Sequence, residues 1–176
     1  MATETASGNG AANAVTFLSG TPATKMLWPN SSIPSKFTIC SVTRYAGATR
    51  GSILTCKDSP AQSKTWIHGH NYSMRGVARY TKWKTAKSNV GAVDDWLVMC
   101  GTNAGATFPG NLILDQDEIG TSSGGRGNCT LNVGYYESSD WALHSVLIWD
   151  YSLGTLPIPW HTRPCLNIQD LPCHQF

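Results

Sequence analysis

The fold class this sequence predicts is all-β, an antiparallel β-sandwich. Two observations carry the prediction. Apolar segments are short, alternate at period two and are rich in β-branched and aromatic residues, as in Phe37-Thr38-Ile39-Cys40-Ser41-Val42-Thr43 and Trp141 to Tyr151. The chain of 176 residues also has a length at which a sandwich forms one domain with its own core.

Residues 1–13 are small and polar and read as a loose end or an arm lying on another surface. Ala14 to Leu18 is the first expected strand, so residues 1–36 form an N-terminal arm and first strand. Thr21-Pro22, Trp28-Pro29 and Ile33-Pro34 punctuate an irregular connection after it, because proline cannot donate to a ladder. Phe37 to Thr43 and Ser52 to Cys56 read as a hairpin around the glycine-containing loop Tyr45 to Gly51. Trp66 to Tyr72 and Gly76 to Tyr80 are the next strands, joined by Ser73-Met74-Arg75. Tyr80 to Lys87 interleaves bases with aromatics and reads as a strand edge guarded by lysines. Nucleic acid is not expected there, since neither a recognition motif nor a strongly basic domain accompanies it. Asp94-Asp95 precede a strand through Trp96 to Gly101, and Asn111 to Thr121 reads as a short hairpin. Leu131 to Gly134, a polar loop and Trp141 to Tyr151 read as a closing strand, loop and strand. On the last of these Trp141, Leu143, Leu147, Trp149 and Tyr151 share one face, and Ala142, Val146 and Ile148 the other.

Leu131-Asn132-Val133-Gly134, followed by Trp141 through Trp149-Asp150-Tyr151-Ser152-Leu153, resembles the closing hairpin of the laminin-G-like, concanavalin A-like lectin-glucanase jelly-roll family. Phe37-Thr38-Ile39 resembles the same family's early strand pair, Trp96-Leu97-Val98-Met99-Cys100 its central strand, and Asn111 to Thr121 its short hairpin. The likeness covers residues 37–154 and implies a concanavalin A-like jelly-roll core there. Residues 155–176, a tail containing prolines and cysteines, depart from the family, which often continues into a helical turn that these prolines forbid.

The most function-like constellation is Trp66, His68, His70, Asn71 and Tyr72. On an extended strand Trp66, His68, His70 and Tyr72 project from one face. A flat ring that covers sugar C–H surface, beside imidazole and amide groups that fix hydroxyls, makes this a candidate glycan-binding face. A core-facing Trp with hydrogen-bonded histidines explains the same residues. A metal held by His68 and His70 lacks a further ligand at a recognisable spacing. Asp115, Asp117 and Glu118 invite a glycosidase reading, yet they fall where a turn is expected, and no catalytic residue is assigned. Calcium-binding relatives of this fold use loop carboxylates; Asp94, Asp95, Asp140 and Asp150 are candidate oxygen donors without a spacing that fixes a site, so no cofactor is assigned.

Charged residues make up 14% of the chain, against about 25% in an average soluble protein. They are distributed unevenly. Residues 36–87 hold ten bases and one acid, a balance of +9, and residues 88–176 hold two bases and nine acids, a balance of −7. Folding can neutralise the two halves against each other, or the subunit can be bipolar and stack on like copies. Six cysteines, Cys40, Cys56, Cys100, Cys129, Cys165 and Cys173, permit up to three disulfides; Cys40 with Cys56 across the expected hairpin is the preferred pair, and Cys165 with Cys173 would pin the tail. Three sequons begin at Asn30, Asn71 and Asn128. Together these features predict an extracellular or other oxidising compartment, although Met1-Ala2-Thr3-Glu4 does not open a signal peptide. No stretch is long and apolar enough for a membrane span. The expected function is a non-enzymatic binding or adhesion module for a glycan or glycoprotein; the alternative is an assembly subunit, a homo-oligomer or part of a larger complex.

Overall fold

The computed structural model describes residues 1–57, 66–85, 90–103, 112–114, 117–120 and 124–151. Among them there is no helix, and every strand pairing is antiparallel. The strands are β1 (Ala2–Gly8), β2 (Ala11–Gly20), β3 (Met26–Leu27), β4 (Thr38–Arg50), β5 (Leu54–Lys57), β6 (Trp66–Asn71), β7 (Met74–Tyr80), β8 (Lys82–Trp83), β9 (Leu97–Thr102), β10 (Leu112–Leu114), β11 (Asp117–Gly120), β12 (Thr130–Val133) and β13 (Ser139–Trp149). They form a seven-stranded sheet in the order β1-β2-β13-β4-β9-β10-β11 and a six-stranded sheet in the order β3-β12-β5-β6-β7-β8. The sandwich predicted from the alternating segments is therefore present.

The main core lies between the sheets. Ile39 and Tyr45 of β4, Leu97 and Met99 of β9 and Trp141 and Leu143 of β13 meet Leu54 and Cys56 of β5, Trp66 of β6, Ala78 and Tyr80 of β7, and Leu131 and Val133 of β12. These residues alternate along their strands, as one buried face requires.

Several expectations are corrected. Residues 1–13 are no loose arm: β1 and β2 form a hairpin whose two-residue loop is Asn9-Gly10, both with positive φ (52° and 77°). Asn-Gly supplies those dihedrals at little steric cost, and its right-handed twist suits a hairpin. The loop expected at Tyr45 to Gly51 is also absent. β4 runs on to Arg50, the chain crosses at Gly51 to Ile53, and β5 lies in the other sheet. The Tyr45 hydroxyl, which donates to the Gly51 carbonyl at 2.8 Å, ties the crossover to the strand. Cys40 and Cys56 are therefore not opposed. Cys40 pairs with Cys100, its cross-strand neighbour on β9, and Cys56 pairs with Cys129. Cys165 and Cys173 lie outside the described residues.

The closing segment is likewise not a hairpin, because β12 pairs with β3 and β5 whereas β13 pairs with β2 and β4 in the opposite sheet. A register shift between Leu143 and Ser145 reverses the facing of β13. Val146 and Ile148 thus pack on the same core as Trp141 and Leu143, while Leu147 is 43% exposed on the outside. The short β10–β11 hairpin forms as expected, with Leu114 opposite Asp117, and Asp115 lies outside the described residues.

A second, smaller core covers the outer face of the larger sheet. Val42, Val98 and Ala142 alternate with core-facing neighbours and so point outward, where Val15 and Phe17 of β2 and Trp96 cover them. The hairpin is fastened at its tip, where the Trp96 N–H donates to the Asn9 carbonyl at 2.8 Å. Phe17 meets Trp96 edge to face at 5.2 Å between centroids.

Candidate functional site

Period-two alternation places Trp66, His68 and His70 on one face of β6, as predicted, but that face is the inner one. Trp66 is 2% exposed and both histidines are fully buried. Trp66 packs against Phe37 and Tyr80 at 5.9 and 5.1 Å. His68 Nδ1 lies 2.8 Å from the Tyr80 hydroxyl and its Nε2 lies 3.3 Å from the Met99 carbonyl. The carbonyl can only accept, so Nε2 carries the proton and the Tyr80 hydroxyl donates to Nδ1. His70 Nδ1 sits 3.3 Å from Thr43 Oγ1, and its ring stands edge-on to Tyr45 at 4.7 Å, while its Nε2 is buried with no hydrogen-bond partner among the described residues. Burial lowers the pKa of His68 to about 4; burial, followed by the charge of Arg75 and by His68, lowers that of His70 to about 3.

This is a correction to the candidate glycan face: Trp66, His68 and His70 reach no ligand because two apolar sheet faces close over them. Asn71 is 5% exposed, and its Oδ1 lies 2.9 Å from Ser52 Oγ. Tyr72 stands apart, 66% exposed in the two-residue turn Tyr72-Ser73, where its hydroxyl donates to Glu137 Oε1 at 3.0 Å.

The candidate calcium donors are not gathered. Asp94 is bonded to Arg50, and Asp140 Oδ2 accepts the Thr49 N–H at 2.9 Å. Among the described residues no group of three or more His, Cys, Asp or Glu is placed to hold a metal ion.

Two surface features were not legible as sites in the sequence. One is a groove of about 360 Å³ beneath the hairpin tip, lined by Asn9, Arg44, Arg50 and Asp94 and by the small residues Ala46 to Ala48. Arg50 Nη2 contacts both Asp94 oxygens, at 2.9 and 2.8 Å. Arg44 lies over the Phe17 and Trp96 rings at 5.3 and 5.2 Å and donates to the Tyr45 carbonyl. Its pKa is lowered by burial, an effect that Glu4 and Asp94 oppose. The Nε atoms of both arginines are buried and have no hydrogen-bond partner among the described residues. The groove exists because the hairpin folds over β4, and Asn9-Gly10 was its signal in the sequence.

The other feature is the outer edge of β1. Among the described residues the two sheets end in four edges. β3 and β8 are two residues long, β8 carries Lys82, and β11 has four residues including Asp117 and Glu118. β1 has seven residues, all exposed, with Glu4 as its one charge and no proline. Three edges are short or charged, as natural sheet edges usually are. β1 is neither.

The class these observations define is an all-β sandwich with two disulfides among its described residues. Comparison with protein-family models, with curated proteins and with solved structures finds no match.

Proposed function

We propose that this chain is a structural assembly subunit that joins like copies by adding strands at β1. The observation that carries this reading is the contrast between the long, nearly uncharged β1 edge and the three short or charged ones. A row of backbone N–H and C=O groups on such an edge is a template for another strand. Two copies meeting at β1 about a two-fold axis would pair in antiparallel fashion, each strand serving the other. The uneven charge along the chain supports a further, heterologous contact between bipolar subunits. Light scattering across protein concentration tests the reading. Association that rises with concentration, and that the double substitution Thr3→Lys and Ala6→Lys suppresses, is expected; a wild-type chain that stays monomeric at high concentration and low salt overturns it.

The second reading is a non-enzymatic module for a glycan or glycoprotein, and the groove at Arg44, Arg50, Asp94 and Asn9 favours it. Planar guanidinium, carboxylate and amide groups around a depression suit hydroxyl recognition. A glycan-array signal abolished by Asp94→Ala would support it, and a signal indifferent to that change would remove this groove as the site. Assignment to the concanavalin A-like jelly-roll class belongs to the same proposal, supported by two packed antiparallel sheets. The Cys40–Cys100 and Cys56–Cys129 disulfides point to an oxidising compartment, and we infer an extracellular one.

A further inference from the structure

The three sequons have different surroundings. Asn71 ends β6, is 5% exposed, and its carbonyl oxygen accepts from Ser52. A glycan on its nitrogen would have to displace this packing. Asn128 is exposed, but Cys129 is held in the disulfide to Cys56, and the Thr130 hydroxyl accepts the Ser31 N–H at 3.3 Å. Asn30 and Ser31 are both exposed, in a turn closed by the Ser32 N–H and the Pro29 carbonyl at 3.1 Å. The Ser32 hydroxyl accepts the Leu131 N–H at 2.9 Å, so exposure of the asparagine itself is what sets Asn30 apart from Asn71.

We propose that Asn30 is a site of N-linked glycosylation and that Asn71 is not. The donor is an oligosaccharide on a polyisoprenyl diphosphate: the anomeric carbon leaves the diphosphate oxygen and bonds to Asn30 Nδ2, the amide nitrogen gives up one proton, and the diphosphate departs. The glycan has a physical use in this fold. Asn30 lies three residues beyond Leu27, which is 47% exposed on the edge strand β3. A hydrated oligosaccharide at the turn covers that apolar edge of the smaller sheet. The inference rests on the oxidising-compartment reading and not on how copies assemble.

The test is secretion of the full chain, behind an added leader, from a glycosylating eukaryotic host. Amidase deglycosylation in heavy-oxygen water, followed by peptide mass spectrometry, marks each occupied asparagine. A label at Asn30 and none at Asn71 is expected, with the glycan lost in Asn30→Gln and kept in Ser32→Thr. An unlabelled Asn30, or a labelled Asn71 in chains carrying the Cys56–Cys129 disulfide, overturns the proposal. Thiol alkylation of the same secreted sample separates failure of the compartment reading, seen as reduced cysteines, from failure of the site.

Discussion

His68 and His70 are held as neutral rings inside the sandwich, and that has a thermodynamic consequence at the scale of single residues. Their pKa values in the folded chain, about 4 and about 3, lie below the ordinary histidine value of 6.5. The unfolded chain therefore binds protons first as pH falls. The stability these rings contribute is fully present above about pH 6.5 and declines below it, by up to about 1.4 kcal/mol per pH unit for each ring. Urea unfolding at steps from pH 7.5 to 4.5 is expected to show this loss, and His70→Gln to flatten it. A midpoint unchanged between pH 6.5 and 4.5 would contradict the assignment. Gly20 offers a second test. Its Cβ, if it had one, would sit 2.5 Å from the Trp141 ring, and Trp141 is fully buried and unable to withdraw. Gly20→Ala is expected to destabilise by about 1–3 kcal/mol, the usual cost of overpacking, as read from the chemical-denaturation midpoint.

At the scale of elements, the sequence was most legible where it spoke of periodicity. Alternation correctly grouped Trp66, His68 and His70, and Lys82 marked a true edge strand. Alternation alone does not say which group faces the core, since a strand buried on one side and a strand lining an open face have the same period. That is why the most function-like residues proved to be packing residues. Nor does alternation survive a bulge: the register shift after Leu143 moved Val146 and Ile148 inward, and no residue type there announces it. Gly47 has the look of a loop residue, whereas in β4 it makes room for Asp140, whose carboxyl carbon would lie 2.7 Å from a Cβ at that position. Disulfide pairing depends on which strands become neighbours, so only the topology makes it readable. The two bonds close separations of 60 and 73 residues. On the chain-entropy argument each contributes up to about 4 kcal/mol, so Cys40→Ser/Cys100→Ser and Cys56→Ser/Cys129→Ser are each expected to lower the urea midpoint substantially. Equal midpoints with and without reductant would count against both bonds.

For the whole molecule, the basic and acidic stretches of the sequence meet at one ion pair among the described residues. Arg50 of the basic half holds Asp94 of the acidic half at 2.8 Å, which ties the end of β4 to the segment leading into β9. The pair is partly solvated, so its own contribution is modest, about 0–1 kcal/mol. If bipolar contacts between copies add to pairing at β1, raising salt is expected to weaken higher assembly while leaving the strand-paired dimer, whose contacts are backbone hydrogen bonds and are screened little. Sedimentation velocity at low and high salt distinguishes the two steps; loss of all association together would show that charge, not the edge, drives it.

The fastening of the β1–β2 hairpin bears on how the chain is made. Its tip waits for Trp96, and Leu18, Ser19 and Gly20 find their partners outside the hairpin only at Leu143, Ala142 and Trp141. The hairpin thus joins the larger sheet only after β13, more than a hundred residues further along the chain, has been made. Until then the hairpin is an unclaimed ribbon, and a nascent chain beside it on the same message offers the same β13. Exchange of hairpins between neighbouring chains during synthesis would give the same contacts as self-closure, and in an assembling subunit of the kind proposed the order of translation would then decide whether copies emerge separate or already joined.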